Sequence, residues 1–355
     1  YAEVMRATCA QIESENELST AETPARAAWF RRLLPVEPPI GSGSVAAPGA
    51  FGSEPALARL AQLEGLDPGI PEATRTRLYE PDGGAEISIV LWHGFTNAPS
   101  QFGEVAQNLR TLGYRVLVPR MPYHGEADLL NRELAKLTVA DLVEQVDTCV
   151  DIASGLGSKV WVLGLSAGGT MAAWAAATRP EVSRAALVAP LIAPVGFPLP
   201  VVRALVKWPA IVPKFYMWWD PRVKEKLTEG QSPYAYPGFP VPGLFPFLHL
   251  SESLFDHSVA AGHELERVAL VTNPGDFAIR KDVAQRFVEE VFAPRARATV
   301  EAHVDGDLKW MHDFVDPWGG NGSTEQVVAI ILAAFGVGEP TAGGVLVPPL
   351  VTEQP

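Results

Sequence analysis

The stretch KVWVLGLSAGGTMAAWAAAT, residues 159–178, decides the fold of this chain. Its first part is a short apolar run, which predicts a buried strand over 159–165. Its alanine-rich part predicts a helix over 167–178, which ends before Pro180. The Gly-x-Ser-x-Gly pattern around Ser166 therefore stands at a sharp strand-to-helix turn. Such a turn lifts the hydroxyl out of the sheet and makes Ser166 a candidate nucleophile, although a serine there could also simply cap the helix.

Strands and helices alternate along the chain on both sides of this stretch. Short apolar runs predict further strands at 87–92, 115–118, 184–189, 268–272 and 298–304. Apolar residues at helical spacing predict helices between these strands, and the last two of them cover 281–292 and 324–335. Because alternating strands and helices form a parallel sheet covered on both faces, the sequence predicts an α/β fold with a doubly wound, mostly parallel sheet.

The composition limits the size of the core and the kind of partner. Of 355 residues, 47% are apolar and 19% are charged, so the chain can bury a sizeable core. The formal net charge of −13 disfavours binding to nucleic acid or to an anionic membrane. The uncharged stretch 185–202 is long enough to cross a bilayer, but prolines interrupt it, so we expect no membrane segment. Cys9 and Cys149 can form one disulfide at most.

The chain divides by composition and pattern. Residues 1–85 are interpreted as an N-terminal extension or arm, because they include a stretch rich in Pro, Gly and Ser. Residues 86–190 and 266–338 form the predicted core, and residues 339–355 form a flexible tail. Residues 191–265 are too long for an ordinary connection and are rich in aromatic residues and proline. We interpret them as a cap above the carboxyl ends of the strands, where ligands bind; the alternative is a second layer of core.

A serine nucleophile needs a base and a group that orients the base. His312 follows the predicted strand 298–304 and is the candidate base. Asp276 follows the strand 268–272 on a Pro-Gly turn and is the candidate orienting carboxylate, unless it only bonds its own turn. Asp282 is a weaker candidate, because it stands near a helix start.

Two backbone N–H groups are candidates for stabilising an oxyanion. One belongs to Ala167, which follows Ser166 at the start of a helix. The other belongs to Phe95, in the loop HGFTN at 93–97 that follows the first predicted strand. The glycine in this loop permits an unusual backbone, and we expect His93 to be structural rather than to act as the base.

These motifs resemble the α/β-hydrolase superfamily over residues 86–335. The segments LWHGFTNAP at 91–99 and PYHG at 122–125 are similar to those of bacterial carboxylesterases and monoacylglycerol lipases. That group has a His-Gly-Phe-Thr loop, a Gly-His-Gly loop, a Gly-Leu-Ser-x-Gly-Gly turn and a cap after its sixth strand. Tyr123 replaces the glycine that usually precedes the histidine of the second loop. The segment HDFVDP at 312–317 also resembles the family's histidine loop.

The resemblance implies an α/β-hydrolase fold with a cap inserted after strand six, here the strand 184–189. The chain order Ser166, Asp276, His312 agrees with the order in this fold. It implies ester hydrolysis through a covalent acyl-enzyme, and this mechanism needs no cofactor and no metal. The first 85 residues have no counterpart in the resemblance.

We therefore expect a serine carboxylic-ester hydrolase that acts on apolar or aromatic esters, because an aromatic cap buries such groups favourably. The expected substrate-binding residues are Leu165, Phe215, Trp218 and Trp219. Two alternatives stay open: a hydrolase of amides or urethanes that uses the same triad, and a non-catalytic ligand-binding protein of the same fold.

The expected partner is a small-molecule or lipid-like ester, and homodimerisation through the N-terminal extension is a further hypothesis. The chain begins at Tyr1 and shows no leader. We expect a soluble protein that is either cytoplasmic or secreted after removal of a leader.

Overall fold

A computed structural model gives the fold of most of the chain. It describes residues 53–196, 198–208, 211–219, 232–256, 265–294, 296–304, 310, 312–319, 323–337 and 345–346. Cys9 and most of the expected N-terminal arm and C-terminal tail lie outside these residues. Cys149 lies within them, and its thiol is free and buried.

A twisted central sheet organises the described residues. In the described residues this sheet has eight strands, in the spatial order β1 (Arg77–Tyr79), β3 (Arg115–Val118), β2 (Ile87–Trp92), β4 (Lys159–Leu165), β5 (Val182–Val188), β8 (Arg267–Thr272), β9 (Ala298–Val304) and β10 (Val345–Leu346). The six strands from β3 to β9 run parallel, whereas the edge strands β1 and β10 are antiparallel to their neighbours. The predicted mostly parallel sheet is confirmed, and β5 begins and ends slightly earlier than predicted.

Helices cover the sheet. They are α1 (Ser53–Gly65), α2 (Gly103–Thr111), α3 (Val139–Leu156), α4 (Ala167–Thr178), α5 (Leu199–Lys207), α6 (Phe245–Asp256), α7 (Lys281–Phe287) and α8 (Thr324–Ala334). Successive residues Val160 to Leu165 of β4 are all buried, because layers lie on both faces of the sheet. Helix α2 packs against α8, whereas α3 packs against α1 and α4.

Local sequence explains where several helices begin and end. Thr138 caps α3 through a capping box with Asp141, and Ser323 caps α8 in the same way with Gln326. The predicted helix 281–292 is α7 followed by a π-helical turn at Val288–Phe292. Within this turn Val288, Val291 and Phe292 are buried.

Residues 53–85 do not form a separate arm in the structure. Helix α1 packs on α3, and β1 pairs with β3 as the edge of the sheet. The carboxylate of Asp67 accepts hydrogen bonds from the Thr76 backbone N–H and from the Arg120 guanidinium, which ties this segment to the core. A strand of three residues is too short to show a pattern of apolar and polar residues in the sequence. Its place at the edge of the sheet depends on pairing with the neighbouring strand.

The long insertion lies between β5 and β8. Its described part contains α5, a hairpin of β6 (Tyr216–Trp218) and β7 (Gly238–Pro240), and α6, which packs on α4. Some of its aromatic residues are buried in the core, including Phe239 and Phe247, whereas Phe215 and Trp219 are 44% and 49% exposed. The insertion therefore combines a core layer with an exposed aromatic surface. Within the described residues, no helix has both the length and the apolar character of a bilayer span.

Candidate active site

Ser166 lies at the turn between β4 and α4 in a rare backbone conformation. Its φ and ψ are 55° and −115°, outside the regions that serine usually occupies. The Ser166 N–H donates to Val188 O at 2.9 Å, and the Ser166 carbonyl accepts from the Leu191 N–H at 2.9 Å. The end of β5 and the residues after it therefore hold the strained turn on both sides.

The two glycines that flank Ser166 are required by close packing. A Cβ on Gly164 would lie 2.0 Å from Gly168 O, and a Cβ on Gly168 would lie 2.1 Å from Trp92 O. Both contacts are with backbone atoms, which cannot move aside cheaply. Any side chain at these positions would therefore force β4, α4 and β2 apart.

His312 and Asp276 form a hydrogen-bonded pair. The distance from His312 Nδ1 to Asp276 Oδ2 is 2.7 Å, and the Asp276 side chain has no solvent exposure. Asp276 Oδ1 accepts from the backbone N–H of Ala278 at 2.8 Å, which fixes the rotation of the carboxylate. An ionised carboxylate can only accept, so the proton of a neutral His312 lies on Nδ1 and leaves Nε2 as an acceptor.

The loops that carry this pair are joined directly. The Asn273 side-chain amide donates to Trp310 O at 2.5 Å, and the Asn273 Oδ1 accepts from the Gly275 N–H at 3.0 Å. Asn273 follows β8, whereas Trp310 precedes the histidine. One amide therefore sets the distance between the loop of Asp276 and the loop of His312.

Ser166, Asp276 and His312 all follow strands of the parallel part of the sheet. They come after β4, β8 and β9 respectively, and the carboxyl ends of parallel strands lie along the same edge. Among the hydrogen bonds of the described residues, the aspartate–histidine bond is present, and none joins the Ser166 hydroxyl to His312. Catalytic hydrogen bonds often shorten only when substrate is bound.

A buried histidine, His93, supports the loop after β2 through hydrogen bonds. His93 Nε2 accepts from the Met121 N–H at 3.1 Å, so its other nitrogen, Nδ1, donates to Gly94 O at 2.9 Å. Burial lowers the pKa of His93 to about 4. The imidazole is therefore neutral at ordinary pH and acts as a support for the loop. In the described part of the chain, neither the Phe95 N–H nor the Ala167 N–H donates to a protein acceptor.

The cap contacts this loop at Thr96, which has a φ of +67°. Trp219 Nε1 donates to Thr96 Oγ1 at 2.7 Å, and the Tyr236 N–H donates to Thr96 O at 2.7 Å. The Trp219 ring packs 4.6 Å from the ring of Phe239, which itself packs 5.0 Å from the ring of Phe95. The cap hairpin and the candidate oxyanion loop therefore form one packed unit.

The expected substrate-binding residues have different surroundings. Trp219 reaches the loop of Phe95, as described above. Leu165 is buried at the end of β4, beside Ser166, whereas Phe215 is exposed on the cap. The half-buried Trp218 packs its ring 5.3 Å from the ring of Tyr216 within the cap. Trp219 therefore contacts the loop of Phe95, and Leu165 lies beside the turn of Ser166. For Phe215 and Trp218, the described residues show no contact with this loop or this turn.

The departure from the family pattern at Tyr123 has a structural consequence. Tyr123 has a φ of +65°, a left-handed conformation that favours glycine. Its neighbour His124 is fully buried and packs its ring 5.6 Å from the ring of Phe95. Tyr123 therefore occupies a backbone conformation that glycine adopts more easily.

A polar network that the sequence does not predict joins the loop after β2 to the loop of His312. Asn97 Nδ2 donates to Asp313 Oδ2 at 3.2 Å and to Asp316 Oδ2 at 3.0 Å. Gln101 Nε2 also donates to Asp313 Oδ2, at 2.7 Å. Burial and the neighbouring charge of Asp316 raise the pKa of Asp313 to about 6. The one available signal was that amide and carboxylate residues follow directly after the HGFT and His312 motifs.

The described residues contain no group of three or more His, Cys, Asp or Glu side chains arranged to hold a metal ion.

Comparison with known proteins supports the fold. Residues 87–234 match the model of a family described as alpha/beta hydrolase fold. Over 96 residues the chain is 28% identical to a thermostable monoacylglycerol lipase from Bacillus sp. (strain H-257). This match covers 27% of the chain and 37% of the relative, so the chain matches little more than a third of that protein.

Solved structures share the architecture at low sequence identity. One comes from a study of LipS and LipT, two metagenome-derived lipolytic enzymes, with a TM-score of 0.56 and 18% identity over 74% of this chain and 98% of that chain. Another is a monoacylglycerol lipase from Paleococcus ferrophilus, with a TM-score of 0.53 and 18% identity over 73% and 96% of the two chains. This chain is therefore a protein of the α/β-hydrolase fold that resembles lipases and esterases.

Proposed function

We propose that this protein is a serine carboxylic-ester hydrolase that acts through an acyl-enzyme on apolar or aromatic esters. The observation that carries the proposal is the 2.7 Å bond between His312 and a fully buried Asp276, on the sheet edge where the strained turn presents Ser166. A buried carboxylate bonded to Nδ1 leaves Nε2 of the imidazole to accept a proton, as a general base requires.

In the proposed mechanism, the Ser166 Oγ attacks the ester carbonyl carbon while His312 Nε2 takes the hydroxyl proton. The tetrahedral intermediate collapses as His312 returns this proton to the leaving alcohol. A water molecule then attacks the acyl-enzyme, and its proton passes to His312 and back to Ser166 as the acid leaves. Asp276 holds the imidazole in one tautomer throughout and stabilises its charged form.

The oxyanion of both intermediates is assigned to the N–H groups of Phe95 and Ala167. Ala167 is the first residue of α4, where unpaired N–H groups and the helix dipole favour negative charge. Each donor aimed at an oxyanion contributes about 3 kcal/mol to lowering the barrier. The Phe95 N–H belongs to the loop after β2, and the Ala167 N–H belongs to the first turn of α4, directly after the candidate nucleophile.

The preference for apolar or aromatic esters rests on the surroundings of the loop of Phe95. The rings of Phe95, Phe239 and Trp219 pack together there, and Trp219 remains 49% exposed. Aromatic side chains in such a position bury an apolar acyl or aryl group favourably. Amides and urethanes would use the same triad, so a substrate panel that varies the leaving group separates these alternatives.

The experiment is a comparison of the wild type with Ser166→Ala. We expect a fluorophosphonate probe to label Ser166 of the wild type, and the variant to lose at least about 10³-fold in kcat on p-nitrophenyl esters. Ser154→Ala is the matched control, because among the described residues the Ser154 hydroxyl of α3 bonds to Asp151 O and to no residue of the candidate site. Undiminished hydrolysis by pure Ser166→Ala protein would refute the assignment. A folded wild type with no adduct at Ser166 would favour the non-catalytic ligand-binding alternative.

A further inference from the structure

Gln101 connects the two loops of the candidate site with its one side chain. It lies in the short turn after the oxyanion loop and is only 2% exposed. Its Oε1 accepts from the Gly94 N–H at 2.7 Å, and its Nε2 donates to Asp313 Oδ2 at 2.7 Å. Gly94 directly precedes Phe95, and Asp313 directly follows His312.

We propose that Gln101 is a positioning residue for ester hydrolysis, which holds the N–H of Phe95 in a fixed relation to the imidazole of His312. The inference rests on the function proposed above. Gln101 itself touches neither Ser166 nor His312 among the described contacts, so it acts through Gly94 and Asp313.

The chemistry of the site requires an amide at this position. Gly94 offers an N–H donor, whereas Asp313 offers an oxygen acceptor, and one side chain meets both needs only if it has an acceptor at one end and a donor at the other. An ionised glutamate has no donor, and methionine has neither group of comparable strength. The bond to Gly94 is buried and the bond to Asp313 is partly buried, so loss of the amide would leave a buried Gly94 N–H without this partner.

Asn97 makes a second connection between the same two loops. Asn97 supports the same carboxylates, because its amide donates to Asp313 and Asp316. Asp313 Oδ1 in turn accepts from the Asp316 N–H at 3.3 Å. Asn97 also reaches Gly94, because its backbone N–H donates to Gly94 O at 3.1 Å. Gln101 differs in that the two ends of one side-chain amide make both connections, one of them to the N–H of the residue before Phe95. Displacing a reacting group by about 1 Å can cost about 10²-fold in rate, so this connection should affect kcat.

The first test is Gln101→Met, which keeps the size of the side chain and removes both hydrogen bonds. We expect kcat to fall by about 10-fold to 100-fold, with KM within about 3-fold of the wild type, because substrate burial is unchanged. Gln145→Met is the matched control. Gln145 is a buried glutamine of α3 whose amide donates to Arg120 O at 2.6 Å, and among the described hydrogen bonds it reaches neither Gly94 nor Asp313. This control should lose stability and keep its kcat.

The second test is Gln101→Glu, which adds a readout that a purely structural role would not change. A protonated glutamic acid donates to Asp313 and accepts from Gly94, as glutamine does, whereas the ionised form repels Asp313. The ratio of variant to wild-type kcat should therefore rise as the pH is lowered, by about 10-fold or more between pH 8 and pH 5.5. The titratable groups that face this position are His312, Asp313 and Asp316, with Glu104 near Asp316, and taking the ratio cancels their shared effect.

An unchanged kcat in Gln101→Met together with a flat pH ratio in Gln101→Glu would overturn the inference while leaving the esterase proposal standing. A wild type that neither hydrolyses esters nor reacts with the probe would overturn both. If Gln101→Met does not fold, the pH ratio of Gln101→Glu decides alone.

Discussion

Ser166 occupies a backbone conformation that costs about 1–3 kcal/mol for a residue with a side chain. Two backbone hydrogen bonds, to the end of β5 and to the residues after it, stabilise this conformation, as does the close packing of Gly164 and Gly168. The same surroundings explain why the turn tolerates no side chain on either flanking glycine.

The substitution Asp276→Asn tests whether this carboxylate orients the imidazole of His312. The asparagine amide would donate to His312 Nδ1 and favour the tautomer with the proton on Nε2, which cannot accept from Ser166. We expect kcat to fall by about 10³-fold to 10⁴-fold with the fold unchanged, as measured by steady-state kinetics and circular dichroism. Asp282→Asn is the control, because Asp282 is exposed and pairs with Arg280. Equal activity of the two variants would remove Asp276 from the mechanism.

At the scale of elements, the cap hairpin binds the loop after β2 through Thr96. Both the side chain and the carbonyl of Thr96 accept hydrogen bonds from the cap, from Trp219 and Tyr236. The Thr96 hydroxyl also donates to Phe95 O at 2.6 Å. A displacement of the hairpin would therefore act on the backbone beside the candidate oxyanion donor.

Trp219→Phe tests this connection. It removes the Nε1 donor to Thr96 and keeps an aromatic ring, so we expect kcat/KM to fall by about 5-fold, the effect of one hydrogen bond worth about 1 kcal/mol. Trp208→Phe is the control, since Trp208 is a partly exposed tryptophan at the end of α5. Matching kcat/KM values in the two variants would show that the cap does not act through Thr96.

At the scale of the whole molecule, the carboxylates of the half-buried Asp313 and the buried Asp316 affect how stability depends on pH. The pKa of Asp313 is raised to about 6 by burial and by Asp316, so the folded state binds its proton more tightly than the unfolded state does. The contribution of Asp313 to stability is therefore fully present below its unfolded pKa of about 4 and is lost as the pH rises through about 6.

Asp313→Asn should remove this dependence. As the pH rises from about 4 to about 7, the free energy of unfolding of the wild type should fall relative to that of Asp313→Asn. Urea unfolding at a series of pH values measures it, and Asp282→Asn is again the control. Parallel stability curves for Asp313→Asn and the wild type would contradict the predicted ionisation of this carboxylate.

Sequence patterns alone determined much of this protein. The apolar runs gave the strands β2, β3, β4 and β9 with their observed bounds, and the glycines around Ser166 marked the turn. These features are local, because strand burial, glycine packing and helix caps depend on a few neighbouring residues. Thr138 is such a case, since its capping box with Asp141 lies within four consecutive residues.

Only the tertiary structure decided what joins distant segments. It places residues 53–85 in the core through β1, and it forms the network of Asn97, Gln101, Asp313 and Asp316 across more than 200 residues of chain. The sequence predicted that Asp276 pairs with His312, but it could not predict the distance between the two side chains or the burial of the carboxylate. Hydrogen bonds between loops depend on where the strands place their ends, and an amide or a carboxylate in a loop carries no local pattern that names its partner.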